Sequence, residues 1–197
     1  MKRFFNPFLY IAGTKSLVWG VIFIISEAVL FYGSGSMVDG FIHITPKSAG
    51  VLLWQTALIQ ILLWLLPALV LYGCGVVMSR SRIRIVDILG TTAFSWLLLL
   101  PMAAPCLVPS LSLSLQSVAD TVVAGSAESV PLPSMLLLMA AGMWSMVWYV
   151  LFCVWNCNAF ATSCNLRGAK AIAVYVAVVL TFALCSPYAI AAFVSAA

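Results

Sequence analysis

The sequence predicts an all-α, polytopic membrane protein: a bundle of five transmembrane helices preceded by a short N-terminal helix in the membrane interface. Three observations carry that reading. First, 64% of the 197 residues are hydrophobic and 7% are charged, where a soluble domain has about 45–50% and 25%. So little charge cannot coat a water-exposed surface, and the mean hydropathy of +1.17 agrees; lipid must cover most of the chain. Second, five apolar runs are long enough to cross a bilayer: 17–33, 50–78, 88–109, 134–160 and 171–195. Third, the basic residues alternate in density between the connecting segments. Lys2, Arg3, Lys15, Arg80, Arg82, Arg84, Arg167 and Lys170 collect on one set of sides, and Lys47 stands alone on the other. The positive-inside rule then puts the N-terminus in the cytoplasm and the C-terminus outside. An odd number of crossings gives the same arrangement.

The elements follow in order. Residues 1–16 form a cytoplasmic or interfacial leader. Within it "FFNPFLYIAGTK" at 4–15 mixes aromatics with basic flanks, as suits a short helix lying at headgroup level. Residues 17–195 form a single five-helix domain. In the first span Gly13, Ser16, Gly20, Glu27 and Ser34 follow helical spacing. Such a seam of small and polar residues lets helices approach closely. The second span is long, and Pro67 interrupts it. The segment 79–87, "SRSRIRIVD", is the most polar stretch of the chain. Arg80, Arg82 and Arg84 are candidate contacts for lipid headgroups or a cytosolic partner, at about 1 kcal/mol each for anionic lipid. Asp87 is placed to cap the third span or to pair with an arginine. Pro101, Pro105 and Pro109 predict irregular turns at the end of that span. The loop 110–130 fits a short amphipathic helix or a mobile loop better than an unpaired strand. In the fifth span Ala169, Ala173, Ala177, Thr181, Cys185 and Ala189 recur every four residues, a packing face for the bundle or for a homo-oligomer.

Glu27 is the one carboxylate inside an apolar run. Such a group costs about 2.5–3.5 kcal/mol at the helix centre on insertion scales. No Lys or Arg lies within a run to neutralise it. The expected resolution is a neutral acid, hydrogen-bonded to Gln55, to Tyr188 or to a backbone carbonyl at similar depth. Glu27 then serves either as an interhelical contact or as a proton or ion relay. The contact is the stronger reading, because few polar groups continue from it across the membrane.

Little points to catalysis or to a cofactor. There is no His-Glu-x-x-His, no P-loop and no Gly-x-Ser-x-Gly. The six cysteines lie mostly in apolar runs, where thiols behave as small hydrophobes. The single histidine, His43, sits beside Asp39 in a loop, so no metal site is expected. Dispersed basic residues argue against nucleic acid.

The stretches "NPFLYIAGTKSLVWG", "MVDGFIHI" and "RIVDILGTTAFSWLLLLP", set in five spans with the N-terminus inside, resemble the Yip1 family, in particular its short bacterial members. The resemblance covers nearly the whole chain. It implies a five-helix membrane protein without known catalytic residues. Relatives act as adaptors in vesicle traffic and in shaping ER and Golgi membranes. The expectation is therefore a non-enzymatic scaffold or membrane-organising factor of the bacterial inner membrane, or of ER or Golgi in a eukaryote. Its partners would be the bilayer, other membrane proteins or itself. The competing expectation is a small transporter or permease-like subunit working through Glu27.

Overall fold

The computed structural model describes residues 6–38, 40, 44–47, 50–79, 81–124, 132–166 and 168–196. It is mostly helical, with five helices long and apolar enough to cross a bilayer. They begin and end close to the predicted limits. Helix α1 is Thr14–Gly33, α2 is Leu53–Met78, α3 is Ile85–Ser95, α4 is Pro109–Ala124, α5 is Leu132–Ser163 and α6 is Ala169–Ala196. The third span runs past α3 through a 3-10 stretch Trp96–Leu99, one α turn Leu100–Ala103 and a second 3-10 stretch Ala104–Leu107. The prolines explain that sequence of turns. Pro101 and Pro105 each lack the N–H that a continuous helix needs. Pro109 then opens α4, where the missing donor is harmless.

The third span is the centre of the bundle. In its most apolar stretch 56% of residues are buried, against 6% for α5. Its contact with α1 is the tightest crossing. A Cβ on Gly20 would collide with Ala93, and one on Gly90 would stand 2.7 Å from the Gly13 carbonyl. Ser16 Oγ donates to the Gly90 carbonyl at 2.8 Å. The seam predicted on α1 is therefore the face that meets α3, with Ser16, Gly20 and Glu27 all buried.

Between α1 and α2 stands a small antiparallel hairpin. Strand β1 (Ser36–Val38) pairs with β2 (Ile44–Pro46), with Met37 opposite Thr45. Ser36 and Met37 are buried. This turn was expected only as a connecting segment. Its end of the bundle is called the hairpin end below. The other is the basic end, where Lys15, Arg82, Arg84 and Lys170 lie exposed.

Several expectations change. The leader is not an interfacial helix over its described residues: a single 3-10 turn forms at Pro7–Leu9. Phe8 is 2% exposed and meets Phe94 and Trp155 edge-on at 6.5 and 5.8 Å. Asn6 Nδ2 donates to Thr162 Oγ1 at 3.3 Å. A docked phenyl ring thus holds the leader against the bundle. Gly13, at φ +75°, turns the chain into α1, a left-handed conformation that glycine adopts readily. The loop 110–130 is helical as far as Ala124, one of the two forms expected of it. The small-residue seam of the fifth span does not enter the bundle: Ala169, Ala173, Ala177, Thr181, Cys185 and Ala189 are all exposed. The buried face of α6 carries Ala171, Tyr175, Val178, Ser186 and Ile190 instead.

A candidate functional site at Glu27

The buried face of α1 aims Glu27 inward. Ile24, Ala28 and Phe31 share that face, and Glu27 is 2% exposed. On α2 the corresponding side chain is Gln60, fully buried between Thr56 and Leu63. Six residues separate Glu27 from the end of α1 and seven separate Gln60 from the start of α2. At 1.5 Å per residue both lie about 10 Å below the hairpin end. Tyr149 of α5 completes the polar wall.

These three side chains line one cavity, closed by Val38, Gly40 and Ile44 from the hairpin segment and by Trp96, Leu99 and Met102 from the third span. About 20 Å³ of it is open to the centre of a water molecule, room for about one water. Glu27 Oε2, Gln60 Oε1, Gln60 Nε2 and Tyr149 Oη are buried without a hydrogen-bond partner. Buried polar atoms normally find partners, and each that does not costs about 1–3 kcal/mol. A carboxyl, an amide and a phenol converging on one water-sized space form a site for a small polar occupant. Glu27 supplies the only ionisable carboxyl among its lining residues. It can take up or release a proton while the amide and the phenol hold a bridging water.

A smaller cavity of about 10 Å³ lies nearer the basic end. Its polar groups are Trp64, Thr92, Asn156 and Tyr175. Trp64 Nε1 donates to Thr92 Oγ1 at 3.2 Å. Asn156 Oδ1 and Tyr175 Oη have no hydrogen-bond partner. Pro67 also lines it, and having no N–H it leaves the Leu63 carbonyl without its usual helical donor. Cys153 sits beside the phenols of both Tyr149 and Tyr175. One turn further on, Thr91 Oγ1 and Ser163 Oγ share a hydrogen bond at 3.0 Å. Thr91 Oγ1 donates to the Asp87 carbonyl at 2.7 Å, so Ser163 Oγ is the donor to Thr91 and stands 3.3 Å from the same carbonyl.

The partners predicted for Glu27 are elsewhere. Gln55 Oε1 accepts from the Leu52 N–H at 2.7 Å, at the start of its own helix. Tyr188 is 80% exposed. Gln60 and Tyr149 share the cavity of Glu27 instead, without a direct hydrogen bond to Glu27 Oε2. The error over Gln55 has a simple origin: α2 starts at Leu53, three residues later than the apolar run, which moves Gln55 into the first turn. Gln60 was visible as a polar residue inside "LIQILLWLLP", whereas nothing in the sequence set Tyr149 apart from the other aromatics.

Asp87 does not cap α3. Arg84 occupies the cap position, and Asp87 sits in the first turn, where a negative charge still favours the helix dipole. Among the described residues no ion pair holds it. Arg82 and Arg84 are exposed beside it. Arg80, Asp39 and His43 lie outside the described residues.

No family model, curated protein or solved structure matches the chain. The resemblance to the Yip1 family therefore rests on its motifs alone.

Proposed function

We propose that the chain is a non-enzymatic, multi-pass membrane protein that organises other membrane components, a Yip1-like scaffold. Its N-terminus would lie in the cytoplasm, with Arg80, Arg82 and Arg84 at the inner headgroups. The observation that carries the reading is the uneven burial of the five spans. Helix α5 has 32 residues, about 48 Å at 1.5 Å per residue, against an apolar bilayer core about 30 Å thick. The buried residues of α5, Phe152, Trp155, Asn156, Ala159 and Phe160, all lie in its second half. Its other half exposes Met135, Met139, Met143 and Met146. Methionine is flexible and polarisable, and it suits surfaces that meet varied partners. A long span left uncovered beside a packed core is a surface for lateral association.

The test is photocrosslinking. A crosslinkable residue replacing Met139 or Met143 should trap discrete membrane proteins in native membranes. The same residue at Val176 of α6 should trap them at least fivefold less often. Capture of lipid alone from α5 would end the scaffold reading.

A second reading, a small transporter working through Glu27, is favoured by one observation. A carboxyl, an amide and a phenol face a single cavity with four polar atoms unpartnered.

A further inference from the structure

The two buried cavities share part of their walls. Leu63 and Trp96 line both. On the hairpin side of these two side chains stand Glu27, Gln60 and Tyr149. On the basic side stand Asn156, Tyr175 and Thr92, followed by the Thr91–Ser163 pair at the Asp87 carbonyl. Polar groups thus extend in depth from the hairpin end towards the basic end, with Leu63 and the ring of Trp96 between the two cavities and the Cys153 thiol beside the phenols of both halves. The sequence alone lacked the second half of this file, because its members lie on three different helices.

We infer that the two cavities are halves of a gated proton pathway, with Glu27 as the proton carrier and Leu63 and Trp96 as the closed gate. A proton path through a bilayer requires a file of polar groups and small waters. An apolar constriction blocks such a file by excluding water. Each half has polar atoms without protein partners, as expected where water completes the bonding. Glu27 is the only carboxyl lining either cavity, so the transferable proton resides there. Passage would be a relay: the neutral carboxyl gives its proton to cavity water and regains one from the other side, with no net change in any group. Trp96 is 4% exposed and packs edge-on against Phe152 at 6.1 Å. Leu63 is 6% exposed. Both are held in a packed core, which keeps the partition shut.

The inference rests on the second reading above and adds the gate to it. The test uses the full chain in liposomes loaded with a pH-sensitive dye, under an imposed proton gradient. Leu63→Ala should collapse the gradient at least tenfold faster than the unaltered chain, and Trp96→Phe, which keeps an aromatic ring in place, should do so severalfold. Adding Glu27→Gln to either should return the rate to that of empty liposomes. Melting curves and size-exclusion profiles establish that each variant is folded. If folded Leu63→Ala and Trp96→Phe proteins leak no faster than the unaltered chain, the gate is wrong. If the unaltered chain still carries a Glu27-dependent flux in that case, the carrier reading survives without the gate. If the leak through Leu63→Ala persists with Glu27→Gln, Glu27 is not the carrier and both fall.

Discussion

Gly20 and Gly90 decide how closely the first and third spans approach. Neither position has room for a side chain: Ala93 occupies the space above Gly20, and the Gly13 carbonyl the space above Gly90. Gly20→Leu should destabilise the protein by about 1–3 kcal/mol, the usual penalty for overpacking, read as a lower melting temperature in detergent. An unchanged melting temperature would mean the two helices do not cross there. This contact was legible in the sequence, because small residues at helical spacing have few other uses inside an apolar run. The site was half legible. Glu27 stood out as a carboxylate among hydrophobes. Its surroundings did not, since pairing it with Gln60 required the true start of α2. Tyr149 required the rotation of α5, which an almost uniformly apolar helix does not encode in its pattern.

Among the elements, one side chain of α5 adds a hydrogen bond to the broken end of the third span. Trp144 Nε1 donates to the Pro101 carbonyl at 2.8 Å. In a regular helix that carbonyl would accept from residue 105, which is Pro105 and has no N–H. The Ala104 N–H donates to it instead, in a tighter turn, and the indole adds a second donor from a neighbouring helix. Trp144→Phe should therefore cost about 0.5–1.5 kcal/mol, the usual worth of one hydrogen bond, beyond any loss of ring packing. Trp148→Phe, one turn further along α5, serves as the comparison in the same melting experiment. Equal effects of the two variants would refute the assignment. At this scale the sequence was a good guide to where helices begin and end, and the prolines foretold the broken end of the third span. It was a poor guide to faces. The small residues of α6 looked like a packing seam, yet Tyr175 and its neighbours won the buried side. A tyrosine removes more apolar area than an alanine and fills the space beside Leu71 and Phe160.

For the whole molecule, the basic residues set the expected direction of insertion. Lys15, Arg82, Arg84 and Lys170 emerge at one end of the bundle, and Lys47 lies at the other, its Nζ 3.8 Å from the centre of the Tyr32 ring. A cysteine at position 197 in an otherwise cysteine-free chain should react with an impermeant maleimide in intact cells, while one at position 2 should react only after lysis. The reverse pattern would invert the protein and move the Glu27 cavity to the cytoplasmic side. The unequal enclosure of the spans carries a further implication, for biogenesis. The third span has the lowest mean hydropathy of the five together with the most complete burial, and α5, which packs against it, is synthesised later. If the spans are laid down in chain order, the third must wait for α5 before its buried face is fully covered.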